Sequence, residues 1–298
     1  MFRARAPLAI QRLNLEHQTA VRMTSRRPPT TKISAIVSDV DGTLVTNDKQ
    51  LTDRSRAAVA AIRKAGIPFS IISSRPPRGI APLMKALSID RPSAGFNGGV
   101  VVAPDLSVLQ QHLISPESAR RTVDFLAGRG VDTWVFSGQD WLLQNKAGPH
   151  VEHETLTVGF PPTVVAEFGK ALDTAAKIVG VSKNHDFLTG CEIELAELMG
   201  DAATVVRSQL YYLDTTDRLA NKGVGLLELA KRVGVPPSEI AVIGDGGNDV
   251  TMFEQAGLSI AMGNAQPAVK AEAHFVTTSN SEDGFAAAVE RFILGGER

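Results

Sequence analysis

The sequence predicts an α/β protein: a parallel sheet covered by helices on both faces, interrupted by an inserted α+β unit. Three observations predict it. Apolar strand-like runs alternate with amphipathic helix-like runs early in the chain and again late in it, the rhythm of strand–helix–strand crossovers. Between these halves lies a stretch of mixed hairpins and helices. Four polar clusters, finally, sit where apolar strands end or a helix opens, which is where open parallel sheets hold ligands.

Taken in order, "ISAIVSD" (33–39) reads as a buried strand. "LTDRSRAAVAAIRKAG" (51–66) reads as a helix capped by Thr52, with Ala58, Val59, Ile62 and Ala65 at helical spacing and Gly66 to stop it. "IPFSIIS" (67–73) is a second strand. In "RGIAPLMKAL" (78–87), Ile80, Leu83, Met84 and Leu87 recur at i, i+3, i+4 and i+7, an amphipathic helix. The texture then changes. "VVVAPDLSVLQQHLI" (100–114) reads as a hairpin turning at Pro104–Asp105, and Ser115 caps a helix with Pro116 in its first turn. Strand-like "DTWVF" (132–136) and "DWLLQ" (140–144), helix-like "VVAEFGKALDTAA" (164–176), strand-like "AKIVGVS" (176–182), helical "GCEIELAELMG" (190–200) and strand-like "ATVV" and "QLYYL" (203–213) follow. The first rhythm resumes with a helix in "KGVGLLELAKRVG" (222–234), a strand in "EIAVIGD" (239–245) and a short helix in "DVTMFEQAG" (249–257). A strand in "LSIAMG", a helix near Pro267, a strand in "HFVTTS" and a last helix from about Asp283 complete it. The expected organisation is a core from residues 33–112 and 209–298, with a second domain inserted at 113–208.

Composition bounds the function. The chain has 298 residues, 43% of them hydrophobic and 21% charged, the balance of a soluble protein with a core. One cysteine, Cys191, excludes an internal disulfide, and no CxxC cluster suggests zinc, as a cytoplasmic protein would have it. No apolar run approaches the roughly 18 to 20 residues of a membrane-spanning helix, so no membrane role is expected. The overall charge of −1 hides an asymmetry: residues 1–32 carry seven Arg and Lys against Glu16 alone, leaving −7 on residues 33–298. A body that acidic is a poor holder of nucleic-acid phosphates. The basic extension reads as a disordered tail, as translation truly beginning at Met23, or as an organellar transit peptide.

The four clusters are "DVDGT" (39–43), "SSRP" (73–76), "NKG" (221–223) and "GDGGND" (244–249). As a calcium loop the first fails. Counted from Asp39, the glycine falls fourth rather than sixth, and Gln50 stands where a bidentate Glu is needed. The last does not fit GxGxxG, and no GxxxxGK[ST] occurs. Asp39, Asp41, Asp245 and Asp249 remain. Converging carboxylates raise one another's pKa unless a cation sits among them, and a few carboxylates with waters and a phosphate suit Mg²⁺. Phosphoryl transfer needs a nucleophile in line and positive groups on the equatorial oxygens. Lys222 supplies a point charge, Ser73 a hydroxyl, and the backbone around Gly42 and Thr43 further N–H donors. A carboxylate nucleophile would split the displacement through an aspartyl-phosphate, with a second carboxyl as acid and then base.

On these motifs the sequence resembles the haloacid dehalogenase superfamily, in particular its Cof-type phosphatases with the larger α+β cap. The resemblance runs from about Ile33 to the C-terminus. DxDGT is matched by Asp39–Thr43, and the Ser or Thr closing a strand by Ser73, with "SRP" where "GRP" is usual. The Cof-type Asn-Gly pair is matched by Asn97–Gly98, the motif lysine by Lys222, and GDxxND by Gly244, Asp245, Asn248 and Asp249, followed by "AMGNA". The resemblance implies a Rossmann-like core and a Mg²⁺-dependent hydrolysis of a small phosphorylated metabolite, a sugar phosphate or similar. It implies Asp39 as nucleophile and Asp41 as general acid/base, with Gly42, Thr43, Ser73, Asn97, Lys222 and Asn248 around the phosphoryl group. Metal ligands would be Asp39, the Asp41 main-chain carbonyl, Asp245 and Asp249, the last directly or through water. A phosphomutase of the same fold and a non-catalytic phosphometabolite-binding regulator are the alternatives. His150 and His153 in "HVEH" read as surface residues rather than a zinc site. Trp134 and Trp141 read as residues of the inserted unit, and Cys191 as a small buried apolar residue.

Overall fold

The computed structural model describes residue 29 and residues 32–295, so the readings of the basic extension lie almost wholly outside the described residues. Five parallel strands form the core sheet in the order β14-β13-β12-β1-β2: β1 is Ala35–Ser38, β2 Phe69–Ile71, β12 Ile240–Gly244, β13 Leu258–Ala261 and β14 Phe275–Val276. Alternation along β1 explains its composition. Ile36 faces a cluster with Val59 and Ile62 of α1 (Asp53–Lys64) and Ile80 and Met84 of α2 (Pro77–Ala86). Ala35 and Val37 face the opposite cluster with Leu226 and Leu229, which lie in the later helix Lys222–Val233. Covered on both sides, the strand is apolar through Val37; its last residue, the buried Ser38, satisfies its hydroxyl by donating to Asp39 O. The Thr52 side chain accepts the Ser55 N–H, and such a cap is worth about 1 kcal/mol.

A small antiparallel sheet follows: β3 Ser93–Gly95, β4 Val100–Val102 and β5 Val108–Gln111. The chain then enters a separate six-stranded sheet of order β10-β11-β9-β6-β7-β8, with β6 Asp132–Ser137, β7 Asp140–Leu143, β8 Thr163–Val164, β9 Ala175–Val181, β10 Thr204–Gln209 and β11 Tyr212–Thr216. Helices α3 (Pro116–Gly128) and α5 (His185–Met199) pack on one face; α4 (Val151–Val158) lies on the other side, against α2. The core resumes with α6 (Lys222–Val233), α7 (Val250–Gln255), α8 (Pro267–Ala271) and α9 (Gly284–Ala288).

Two local differences from expectation have physical causes. Residues 164–176 do not form one helix: Val164 pairs with Leu143 at the sheet edge, Gly169 takes φ +47°, and only a 3-10 turn at Gly169–Thr174 forms. β-branched Val164 and Val165 favour the sheet, and the glycine interrupts the rest. The limit expected at residue 208 falls inside β10. The hairpin continues into β11, whose five residues pair with β9 from Tyr212↔Val181 to Thr216↔Lys177, so this sheet runs to Thr216.

Candidate active site

β1 feeds β2 on one side of the core sheet while β12 feeds β13 on the other, so the carboxyl ends of β1 and β12 border a topological switch point. Asp39 is the first residue beyond β1, and its N–H still donates to Ile243 O at 2.9 Å. The chain then folds back tightly. The N–H groups of Thr43, Leu44 and Val45 all donate to Val40 O, at 3.3, 3.0 and 3.1 Å. Gly42 takes φ +82°, and a Cβ there would stand 2.2 Å from Asp245 Oδ2, so only glycine fits. Thr43 Oγ1 donates to Asp245 Oδ1 at 3.2 Å.

Lys222 opens α6 behind its Asn221 cap, and its side chain is fully buried. Nζ donates to Asp39 Oδ1 and to Asp249 Oδ1, each at 2.5 Å. The other Asp249 oxygen accepts the N–H groups of Asp245 and Gly246, at 2.8 and 2.7 Å. Asp249 thereby holds both the lysine and the loop that presents Asp245.

Ser73, wholly buried just past β2, accepts the Arg75 N–H at its hydroxyl and the Asn97 N–H at its carbonyl. Ser74 is exposed. Asn97 is held left-handed at φ 57°, ψ 33°, and its Oδ1 accepts from Asn248 Nδ2 at 2.9 Å. Ser73, Asn97 and Asn248 thus form one linked group.

Three residues that the sequence reading did not single out complete the geometry. Arg75 grips the Asp41 carboxylate with Nε on Oδ2 at 2.7 Å and Nη2 on Oδ1 at 2.6 Å, and Lys49 Nζ reaches the same Oδ1 at 2.8 Å. Asn264 Nδ2 donates to Gly42 O at 2.9 Å and to Asp245 Oδ2 at 3.1 Å, bracing the first and fourth clusters together. The arginine stood in the noted "SRP" and the asparagine in "AMGNA", but neither spacing says which carboxylate is met.

The two aspartates of the first cluster are held in opposite electrostatic settings. Burial pushes the Asp39 carboxyl well above its ordinary value, with Asp249 and Asp245 adding to this and Lys222 opposing it. Burial would raise Asp41 too, but the Arg75 guanidinium and then Lys49 outweigh it and hold the carboxyl below its ordinary value. Asp245 is pushed up to about 6 by burial and by the neighbouring Asp249 charge. Lys222 is raised despite its burial, because Asp249 and Asp39 hold the proton.

This donor set fits a hard divalent cation. Asp39, Asp245 and Asp249 each offer an oxygen within 4.8 Å of the others, the one such group of three among the described residues. Burial first, and then the neighbouring carboxylates, raises Asp39 and Asp245, and a dication among them would offset both. The remaining candidates make no hydrogen bond to these carboxylates. His150 and His153 surround Tyr211, His150 stacked on it at 3.9 Å, and Trp134, Trp141 and Cys191 are buried in the inserted unit.

Fold and site together define an α/β enzyme with an acidic, lysine-buttressed centre at its switch point. The chain belongs to the haloacid dehalogenase-like hydrolases, whose family model matches residues 36–289, and its arrangement is the Cof type. It is 29% identical to a solved haloacid dehalogenase-like hydrolase from Bacteroides thetaiotaomicron, with a TM-score of 0.81 over 87% of this chain and 99% of that one. A 5-amino-6-(5-phospho-D-ribitylamino)uracil phosphatase of Bacillus subtilis is 26% identical over 287 residues, covering 88% of this chain and 99% of the relative. A solved sugar phosphatase of subclass IIB shares the fold at 24% identity and a TM-score of 0.74, over 87% of this chain and 98% of that one.

Proposed function

We propose that this protein is a Mg²⁺-dependent phosphatase that hydrolyses a small phosphorylated metabolite, a sugar phosphate or similar, through an aspartyl-phosphate on Asp39. One observation carries the reading: two carboxylates two residues apart are separately partnered, Asp39 by a buried lysine and Asp41 by a bidentate arginine. The relatives, a ribitylaminouracil phosphatase and a sugar phosphatase, support the substrate class.

In the proposed reaction Asp39 attacks phosphorus while Ser73, Asn97, Asn248, Lys222 and the N–H groups of Gly42 and Thr43 hold the phosphoryl oxygens. Lys222 keeps its proton and stays a fixed positive charge. Asp41, ionised in the free site, takes up the proton that the phosphate ester brings and passes it to the departing alkoxide, then takes a proton from the water that cleaves the aspartyl-phosphate. Arg75 and Lys49 hold its carboxyl in place for both steps. Mg²⁺ would be held by Asp39, the Asp41 carbonyl and Asp245, with Asp249 direct or through water; it supplies charge neutralisation on the phosphoryl oxygens. The inserted unit serves as the cap that excludes water and meets the leaving group. A cytoplasmic location accords with such a substrate; no described helix is long and apolar enough to cross a membrane.

The test is release of phosphate from p-nitrophenyl phosphate by the purified full chain. Turnover that a chelator abolishes and Mg²⁺ restores supports the reading; an inert protein in the presence of Mg²⁺ contradicts it.

A further inference from the structure

The cap carries a second polar cluster, on the face turned toward the core. Pairing of Thr216 with Lys177, Asp214 with Val179 and Tyr212 with Val181 puts Lys177, Asp214 and Tyr212 on one side of the sheet. That side is the one whose Val179, Trp134 and Phe136 pack with Phe96 and Val100 of the core; the Phe96 and Phe136 rings meet edge to face at 5.6 Å. Ile178 and Leu213 face the other way, under α3 and α5. From the core side α4, lying on α2, contributes Glu154, whose Oε2 accepts the Tyr212 hydroxyl at 3.2 Å. Lys177 Nζ meets Asp214 Oδ2 at 2.6 Å.

Asp214 is only 4% exposed, yet its Oδ1 has no hydrogen-bond partner, and the buried indole N–H of Trp141, on the same face, has none either. An enclosed oxygen without a donor is destabilising, so this wall stands ready for a group that brings donors. Its charge restricts which group. Two carboxylates face one ammonium, and that ammonium is already committed to Asp214. Glu154 lies within electrostatic reach of Asp41. Burial raises the Glu154 carboxyl, Lys177 opposes, and the charges of Asp214 and Asp41 raise it further.

Resting on the phosphatase reading above, we propose that Glu154, Tyr212, Lys177 and Asp214 form the leaving-group subsite, built for a neutral polyhydroxylated group and against one bearing a second anion. Hydroxyls supply the donors that Asp214 lacks and accept from Lys177 and the Trp141 indole. A carboxylate or second phosphate brings acceptors alone, against a wall of net negative charge.

The experiment compares kcat/KM for glucitol 6-phosphate and 3-phosphoglycerate, with p-nitrophenyl phosphate as a reference whose leaving group has no donors. The polyol phosphate is expected to exceed the glycerate. Glu154→Gln and Asp214→Asn are each expected to lower the ratio of glucitol 6-phosphate to p-nitrophenyl phosphate by about tenfold, the worth of one hydrogen bond to a charged group. Glu152→Gln, exposed on the same helix, should leave that ratio unchanged. Equal use of the glycerate and the polyol, or both substrates falling in proportion in the two variants, overturns the subsite. If the chain turns over nothing, the phosphatase reading fails. The subsite is then tested by calorimetric binding of glucitol 6-phosphate to Asp39→Asn, where adding Glu154→Gln should weaken binding about tenfold and unchanged binding overturns it.

Discussion

Arg75 closes a two-bond grip on Asp41, Nε to Oδ2 at 2.7 Å and Nη2 to Oδ1 at 2.6 Å, from the turn that leads into α2. Parallel guanidinium–carboxylate bonds fix orientation as well as charge, which a lysine in that place would not do. Asp41 is therefore held against rotation at the distance from Asp39 that the turn at Gly42 sets.

Arg75→Ala frees Asp41 and removes the charge that depresses it. Turnover should fall on the order of 10²-fold, the cost of misplacing a reacting group by about 1 Å. The Asp41 carboxyl is held low in the native protein, so its loss of Arg75 raises it. Whichever limb of the pH–rate profile reports Asp41 should move to higher pH. A profile that keeps its limbs while kcat drops would assign Arg75 to substrate binding instead.

Lys222→Ala removes a buried cation shared by Asp39 and Asp249. Turnover should fall about 10²–10³-fold, the scale for one transition-state charge contact. The protein should also lose about 3–5 kcal/mol of stability, since two carboxylates are left without their partner. Phosphate release from p-nitrophenyl phosphate checks the first effect, and denaturant melts check the second.

Gly42→Ala sets a Cβ against Asp245 and forces an alanine into a left-handed conformation. That costs about 1–2 kcal/mol in backbone strain. Displacing Asp245 should weaken Mg²⁺ binding by about 10–100-fold, as other changes to ligand-orienting groups do. Isothermal titration of Mg²⁺ reads this directly, and unaltered affinity would remove Asp245 from the ligand set.

Metal and pH act together on stability. In the metal-free protein Asp245 is raised from 3.8 to about 6, so its contribution to stability is present below the unfolded value and lost as pH rises through about 6. Mg²⁺ bound among the ionised carboxylates reverses that loss, giving about 2.7 kcal/mol at 100 times its Kd. The Tm increase on adding Mg²⁺ should accordingly be larger above pH 6 than below it. Equal increases on both sides would contradict this assignment of the site.

The sequence made the core legible because a doubly covered strand such as β1 is apolar through Val37 and then changes character abruptly at Ser38 and Asp39, where it ends. The same contrast marked Ser73 and Asp245. Partnerships made by side chains from distant segments were not legible. Arg75 finds Asp41 because the turn after β2 points back toward β1, and Asn264 finds Gly42 because β13 lies two strands away. Neither follows from spacing. In the cap, β8 and the 3-10 turn replace an expected helix because sheet-edge pairing outweighs a weak helical pattern broken by Gly169. Glu154 and Asp214 left no motif, since a helix and a strand 60 residues apart bring them together only in the folded cap.

The central claim, that Asp39 takes the phosphoryl group and Asp41 governs its release, is tested most directly in Asp41→Asn treated with p-nitrophenyl phosphate. p-Nitrophenolate departs without an acid, so the first step survives while the second lacks its base. The account predicts a burst of one equivalent of p-nitrophenolate and, after acid quench, a phosphoryl group mapped by mass spectrometry to Asp39. Rapid steady turnover without a burst, or a phosphoryl group on any other residue, would contradict it.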